Sequence, residues 1–148
     1  MSSTHTSLHY HLIFATKNRE ACLAASWRSQ LHDYLGGTVR GLGAHPEGIG
    51  GVADHVHLLV SLKSTHRLAD FMRELKKSSS IWVRETFHQP DFQWQEGYAA
   101  FTVSASVRDS VRTYIASQEE HHRKKSFREE LMEFLRKSSV EFDEQYLD

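Results

Sequence analysis

Apolar and polar residues alternate along four short segments of the chain, which predicts four β-strands. The clearest is segment 55–62, in which every second side chain from Val56 onward is aliphatic, whereas His55 and His57 point to the other face. The remaining strands are predicted at 8–16, 45–52 and 98–103. The second strand is the weakest, because Pro46 and several glycines interrupt it.

Apolar residues at three- and four-residue spacing predict four helices between and after these strands. The longest covers about 66–87, and the third runs without a break from 107 to about 121. The residues that could cap the four helices are, in order, Ser26, Ser64 or Thr65, Ser106 and Ser126. Glu129 follows Ser126 by three residues, which is the spacing of a capping box.

The order strand–helix–strand–strand–helix–strand, followed by two helices, predicts an α+β fold of the ferredoxin-like (RRM-like) βαββαβ class. Both crossover helices of such an antiparallel sheet cover one face, which the aliphatic side of the third strand would line. His55 and His57 would lie on the opposite face, beneath an added C-terminal helix. We interpret 1–148 as one domain, with a core at about 8–122 and a C-terminal helix and tail at 126–148.

The charge balance argues mildly against a protein that binds duplex DNA without specificity. Lys and Arg number 18, Asp and Glu 19, and the net charge is -1, whereas such proteins usually have a basic excess. The single cysteine, Cys22, excludes an internal disulfide and fits a reducing compartment. The N-terminus does not resemble a signal peptide and the apolar runs are short, so we expect a cytoplasmic protein with no membrane contact.

His55 and His57 are the first candidates for metal ligands. On one strand face their side chains would lie about 7 Å apart, and neutral imidazole is a common ligand of divalent ions. The pair alone is weak evidence, because the chain has 11 histidines and repeats the spacing at His9 and His11. Asp54, directly before the pair, and the rigid aliphatic strand favour a metal role. The simpler alternative is a pair of strand histidines that bind nothing.

Tyr114 and Gln118 are the second pair of candidates. A separation of four residues places the phenol and the carboxamide one turn apart on the same helix face. A phenol oxygen can attack phosphorus and form a phosphotyrosine, and a carboxamide oxygen could be a third, hard metal ligand. The alternative is a core tyrosine, because Tyr114 also lies on the apolar stripe of its helix with Val111 and Ile115.

Four segments together resemble the HUH-type single-tyrosine transposases of the insertion-sequence-200-like family. Two carry the candidate site, DHVHLLV at 54–60 and YIASQ at 114–118, and two lie elsewhere, YHLIFATKNRE at 10–20 and FMRELKKSSSIW at 71–82. The resemblance spans about 8–127 of the chain. Its specificity lies in the combination of a histidine pair on a strand with a tyrosine and a glutamine, four residues apart, on a helix.

The resemblance implies a DNA transposase that cleaves and rejoins single-stranded DNA. His55, His57 and Gln118 would bind Mg²⁺ or Mn²⁺. Tyr114 would attack the scissile phosphate and leave a 5′-phosphotyrosine and a free 3′-hydroxyl, so no nucleotide cofactor is expected. The family binds hairpins at the ends of a mobile element and forms homodimers, in which active sites can be completed in trans. The implied location is a prokaryotic cytoplasm, with association with the nucleoid during action.

Several basic residues are candidates for contacts with DNA phosphates. They are Arg73, Lys76 and Lys77 on the second crossover helix, and Arg108, Arg112, His121, Arg123, Lys124 and Lys125 on or after the tyrosine helix. Trp94 or Tyr98 could stack on an unpaired base. For any one of these residues the alternative is a solvated helix face or, for the tryptophan, a place in the core. The group around Tyr114 is the better candidate, because DNA must lie there if Tyr114 cuts it.

Three alternatives stay open at this point. The first is a four-histidine site for zinc or another soft transition metal, because His9 and His11 lie on the strand expected beside the third strand. A module that binds single-stranded RNA or DNA without cutting it is another, but it leaves the histidine pair and Gln118 without a purpose and lacks an RNP1-like aromatic run. The third is a domesticated relative that nicks DNA without moving an element.

Overall fold

An antiparallel sheet of four strands organises the chain in the computed structural model, which describes residues 3–122 and 124–147. The strands are β1 (His9–Ala15), β2 (His45–Gly51), β3 (His55–Ser61) and β4 (Ala99–Val103). Their order across the sheet is β2-β3-β1-β4, with every neighbouring pair antiparallel. This arrangement is that of the ferredoxin-like fold, so the predicted fold class is confirmed.

Five α-helices accompany the sheet within the described residues. They are α1 (Arg28–Gly41), α2 (Leu68–Thr86), α3 (Arg108–Ala116), α4 (Gln118–His121) and α5 (Phe127–Lys137). The prediction of one continuous helix over 107–121 is wrong, because Ser117, with φ -103° and ψ 25°, divides it into α3 and α4. The Ser117 hydroxyl donates to the carbonyls of Thr113 and Tyr114, a local bond that competes with regular helix.

The crossover helices α1 and α2 cover one face of the sheet and enclose the main hydrophobic core. β3 contributes Val56, Leu58 and Val60 to this core, and the helices contribute residues such as Leu35 and Leu75. All five side chains are fully buried, and each contributes about 1.5–3 kcal/mol relative to exposure. The aliphatic side of β3 therefore faces inward as predicted, and its two histidines must lie on the second face.

One of the predicted helix caps is found and the others are wrong. Ser126 accepts a hydrogen bond from the backbone N–H of Glu129 at 3.2 Å, as predicted for α5. The caps predicted at Ser26, at Ser64 or Thr65, and at Ser106 are not formed. Each of these three helices begins further along the chain and has no side-chain cap. Burial of the apolar stripe contributes more to the stability of a helix than a capping hydrogen bond does.

The second face of the sheet is covered by the C-terminal part of the chain. α3 packs on β2 and β3, while α5 joins a separate apolar cluster with β1 and the edge strand β4. This cluster contains Ile13 of β1, Phe101 of β4, and Phe127 and Leu131 of α5. The histidines of β3 are therefore enclosed. Within the described ranges, none of the helices combines the length and the apolar character needed to cross a bilayer.

Gly50 of β2 allows the close approach of α3 that positions Tyr114. A Cβ atom at this position would overlap the backbone oxygen of Ile115 and lie 3.1 Å from its Cγ2 atom. Backbone cannot move aside as the end of a flexible side chain can, so any larger residue must displace α3.

We therefore expect Gly50→Ala to lower the free energy of unfolding by about 1–3 kcal/mol, the usual cost of overpacking. Gly37→Ala in α1 is the matched control, because a Cβ atom there meets nothing within 4 Å. Alanine favours a helix over glycine by about 1 kcal/mol, so the control should be as stable as the wild type or more so. Urea unfolding compares the two, and an undiminished stability of Gly50→Ala would contradict the close packing of α3 on β2.

Candidate active site

The imidazoles of His55 and His57 lie together beneath α4 and α5. Both side chains are fully buried, on the face of β3 opposite the aliphatic core. The Nδ1 atom of His55 lies 2.7 Å from a carboxylate oxygen of Asp54 and donates its hydrogen there. The Nε2 atom of neutral His55 consequently carries a lone pair that points into the site.

His122, directly after α4, brings a third imidazole to this place. Its Nδ1 atom lies 2.7 Å from the carbonyl oxygen of Lys125, which can only accept a hydrogen bond. The Nε2 atom of His122 therefore faces the site, 3.0 Å from Nε2 of His55. Burial would lower the pKa of His122, but the hydrogen bond with Glu130 and the charge of that carboxylate raise it. The sequence left His122 without a role, because no simple spacing connects it to β3.

Gln118, the first residue of α4, directs its carboxamide oxygen at the same two rings. Its Nε2 atom donates to the carbonyl of Tyr114 at 3.3 Å, which turns Oε1 inward. That oxygen lies 2.9 Å from Nε2 of His122 and 3.3 Å from Nε2 of His55. The sequence prediction that Gln118 approaches the histidine pair agrees with this placement, although the helix break separates Gln118 from the helix of Tyr114.

Glu130 of α5 completes the group and was missed in the sequence. Its carboxylate is 2% exposed, and Oε1 lies 3.0 Å from Nε2 of His57 and 3.3 Å from Nε2 of His122. A signal existed: Glu130 lies one turn after Phe127 and next to Leu131, on the apolar side of its helix. A charged residue is rarely fully buried without a partner.

This donor set fits a divalent metal ion. The ligand atoms of His55, His57, His122 and Glu130 lie within 4.8 Å of one another. Neighbouring contacts run from 2.9 to 3.6 Å, so most fall within, and the longest lies slightly beyond, the spacing of about 2.9–3.4 Å expected between ligands bound to an ion at 2.0–2.1 Å. Three imidazole nitrogens and a carboxylate oxygen converge here, a combination that suits a divalent cation.

The charges of the site also favour a cation. Burial alone would raise the pKa of Glu130, but hydrogen bonds with His122 and His57 hold it well below its usual range. Burial would likewise raise the pKa of Asp54, and its hydrogen bond with His55 lowers it instead. Burial lowers the pKa of His57 to about 4, against the opposing effect of Glu130. At neutral pH the site therefore contains ionised carboxylates and a neutral His57.

Tyr114 on α3 reaches this group from the side. Its hydroxyl donates to Oε2 of Glu130 and lies 3.1 Å from Nε2 of His121. Burial, together with the hydrogen bond to and the charge of Glu130, raises the pKa of Tyr114 above its ordinary value. The phenol ring lies 5.9 Å from the ring of His57, centroid to centroid. Tyr114 is therefore a neutral phenol joined to the imidazole group through one carboxylate, and its role as a nucleophile stays a prediction.

The four-histidine alternative is wrong for the described residues. His9 turns away and pairs with Glu47 at 2.9 Å. His11 contacts His57 through the outer nitrogen of that ring, with 2.7 Å between Nε2 of His11 and Nδ1 of His57. Burial, with the neighbouring His57, lowers the pKa of His11 to about 3. His11 thus orients His57 from behind, as the outer partner of a metal-bound histidine does.

The basic residues of α2 lie across the sheet from Tyr114, because α2 covers the opposite face. Lys76 donates to the carbonyls of Gln95, Glu96 and Gly97 at 2.6 to 3.1 Å, so its ammonium fixes a loop. Arg73 pairs with Asp70 at 3.1 Å, whereas Lys77 is exposed. The phosphate contacts predicted for these three residues do not share a surface with the candidate site.

The two aromatic residues proposed for base stacking differ in their surroundings. Trp94 is buried in the main core and donates to the hydroxyl of Ser79 at 2.9 Å, so stacking on DNA is wrong for it. Tyr98 is 39% exposed and remains able to stack. A buried indole satisfied by a core hydroxyl is the arrangement expected of a structural tryptophan.

The basic residues around Tyr114 form two groups. Arg108 pairs with Glu47 at 3.4 Å, and Arg112 donates to the Glu47 carbonyl at 2.9 Å, so both tie α3 to β2. Lys124 is exposed and lines an open hollow with Lys125 and His121, beside the hydroxyl of Tyr114. Arg123 lies outside the described residues. Glu120 also lines this hollow and Lys125 pairs with Glu133, so Lys124 is the exposed cation that the hollow offers beside the candidate nucleophile.

Comparisons with known proteins agree on one family. Residues 4–118 match the family described as Transposase IS200 like. The ISDra2 transposase TnpA of Deinococcus radiodurans is 30% identical over 117 residues, which cover 75% of this chain and 84% of that protein.

Two solved structures share the fold. A protein of Deinococcus radiodurans R1 assigned as a transposase has a TM-score of 0.66 and 30% identity, covering 78% of this chain and 93% of that one. A REP-associated tyrosine transposase bound to a REP hairpin has a TM-score of 0.55 and 15% identity, covering 78% and 70%. The second similarity concerns the fold alone.

Proposed function

The chain belongs to the IS200-like transposases and is a DNA transposase of the tyrosine type, and from this premise we propose that it cuts and rejoins single-stranded DNA through a covalent bond to Tyr114. One observation carries the proposal. The Tyr114 hydroxyl donates to one oxygen of Glu130, and the other oxygen of that carboxylate lies 3.0 Å from Nε2 of His57. A candidate nucleophile and a candidate metal site are thus in contact through one side chain.

In the proposed cleavage, the hydroxyl oxygen of Tyr114 forms a bond to phosphorus while the bond from phosphorus to the 3′-oxygen breaks. Tyr114 loses one proton and the departing oxygen gains one, so the products are a 5′-phosphotyrosine and a free 3′-hydroxyl. A divalent ion, Mg²⁺ or Mn²⁺, polarises the scissile phosphate when bound by His55, His57 and Gln118. Attack by a 3′-hydroxyl on the phosphotyrosine reverses the step, so rejoining needs no nucleotide cofactor.

We propose single-stranded DNA with a hairpin near the element's end as the substrate. The hairpin bound to the REP-associated transposase supports this choice, since that protein shares the fold. Lys124 and Lys125 beside Tyr114 are suited to hold the phosphates on either side of the cut. A module that only binds nucleic acid would leave the converging ligand atoms and the position of Tyr114 without a purpose.

The test is formation of a covalent adduct. The protein is incubated with single-stranded DNA from both flanks of its gene, with Mn²⁺, and the products are separated under denaturing conditions. We expect an adduct that resists denaturation, none when EDTA is added, and none with the same sequences as fully paired duplex. A missing adduct with every flanking strand would overturn the proposal. Transfer of a marked element between plasmids then separates an active transposase from a domesticated nickase.

We further propose a homodimer, because joining requires two DNA ends to be held together. Within one chain Tyr114 already contacts Glu130, so each subunit is expected to use its own tyrosine rather than its partner's. A mixture of the Tyr114→Phe and His57→Ala variants should therefore form no adduct, while each variant alone still elutes as a dimer in size-exclusion chromatography. An active mixture would establish assembly in trans, and elution as a monomer would contradict the dimer.

A further inference from the structure

We propose that five side chains, not three, bind the metal ion: His122 and Glu130 join His55, His57 and Gln118, and the enlarged site prefers Mn²⁺ to Mg²⁺. The inference rests on the metal-dependent cleavage proposed above and identifies the ligands and the ion of that same site. Both added residues lie beyond α3, so the C-terminal part of the chain is a component of the metal site rather than an appendage.

His122 is assigned by the direction in which its Nε2 atom points. The carbonyl of Lys125 takes the hydrogen of Nδ1 at 2.7 Å, and Asp54 does the same for His55, also at 2.7 Å. The Nε2 atoms of both rings then face each other at 3.0 Å, close enough for one divalent ion to bind both once it has displaced the hydrogen between them. Metal-bound histidines characteristically donate their other N–H to a carbonyl or a carboxylate, as these two do.

Glu130 is assigned by its central position and its rigid support. Its Oε1 atom lies 3.0, 3.3 and 3.6 Å from the Nε2 atoms of His57, His122 and His55, respectively. Phe127 and Leu131, on the same helix, are buried in the apolar cluster that fastens α5 to the sheet. The carboxylate is therefore held beside the imidazoles. It supplies a negative charge, which imidazole and carboxamide ligands do not.

The composition of the set determines the preferred ion. Three of the five donors are imidazole nitrogens, which suit transition metals, whereas Mg²⁺ favours oxygen ligands and retains its waters. We therefore expect Mn²⁺ to bind at least about tenfold more tightly than Mg²⁺. Since α5 supplies a ligand, bound Mn²⁺ should also slow hydrogen exchange of the α5 amides.

The experiment measures metal affinity of the full chain by competition with a chromophoric chelator. Glu130→Gln keeps the shape of the side chain but removes its charge, and it should weaken Mn²⁺ binding at least about tenfold. The matched control is Glu129→Gln, because Glu129 is exposed and glutamine serves equally well in a capping box. Equal affinities of Glu130→Gln and the wild type, or equal binding of Mg²⁺ and Mn²⁺, would overturn the inference.

A second variant keeps the test decisive if Glu130→Gln folds poorly. His122→Gln should remove one imidazole nitrogen from bound Mn²⁺, a loss that pulsed electron paramagnetic resonance detects directly. An unchanged nitrogen count would exclude His122. His57→Ala separates the two proposals. If His57→Ala loses Mn²⁺ binding while Glu130→Gln and His122→Gln retain it, only the two added ligands are wrong. If His57→Ala retains its affinity for Mn²⁺, the proposed metal site itself is wrong.

Discussion

Tyr114→Phe is expected to abolish the covalent DNA adduct, with a loss of at least about 10³-fold in the rate of cleavage. The substitution removes one oxygen atom and keeps the ring that packs between His57 and Phe134. Among the described residues, the hydroxyl of Tyr114 contacts Glu130 and His121, neither of which offers an equivalent hydroxyl nucleophile. The loss should therefore concern the chemical step.

Tyr98→Phe is the matched control for this experiment. Tyr98 is 39% exposed and lies before β4, and its substitution also removes a single hydroxyl while keeping the ring that could stack on a base. Single-turnover cleavage of a flanking strand, together with DNA binding measured by fluorescence anisotropy, compares the two variants. We expect near wild-type cleavage by Tyr98→Phe and unchanged DNA binding by both. Adduct formation by Tyr114→Phe at the wild-type rate would exclude Tyr114 as the nucleophile.

His57→Ala should remove both metal binding and cleavage but spare the binding of hairpin DNA. The metal contributes several kcal/mol of transition-state stabilisation, which corresponds to a loss on the order of 10³-fold or more. Hairpin binding should persist because the basic hollow around Lys124 and Lys125 does not depend on the buried ring. The cavity left by a fully buried side chain will also lower stability, so cleavage is measured well below the melting temperature.

The control for His57→Ala is His45→Ala, which removes an exposed imidazole from the neighbouring strand β2. It should bind Mn²⁺, bind the hairpin and cleave like the wild type. Cleavage by His57→Ala at the rate of this control would contradict the assignment of His57 as a ligand. Loss of hairpin binding in His57→Ala would instead indicate that the ring supports the DNA surface.

The sheet and half of the site could be predicted because their signals are local. Alternation along β3 decides which side chains face the helices, so the orientation of His55 and His57 follows from the aliphatic residues between them. The proximity of Tyr114 and Gln118 survives the break at Ser117, because the Gln118 side chain still donates to the Tyr114 carbonyl. Such local patterns can be interpreted without knowing which elements pack on the second face of the sheet.

Glu130 and His122 could not be predicted because their positions depend on how α5 folds back over the sheet. Glu130 reaches the imidazoles because the apolar cluster of Ile13, Phe101 and Phe127 holds α5 against the second face of the sheet. The same limit applies to Lys76, whose ammonium binds three loop carbonyls that lie about twenty residues further along the chain. A charge pattern along a helix does not reveal which partner it will meet.

The most direct test of the central claim is to locate the DNA on the protein. After cleavage of a flanking strand in Mn²⁺, the adduct is digested with nuclease and trypsin and analysed by mass spectrometry. Cleavage after Arg112 and Arg123 releases TYIASQEEHHR, which contains Tyr114 and no other tyrosine. We predict a nucleotide linked through phosphate to Tyr114 of this peptide. A nucleotide on any other residue, or an unmodified peptide from a preparation that has cleaved its DNA, would contradict the account.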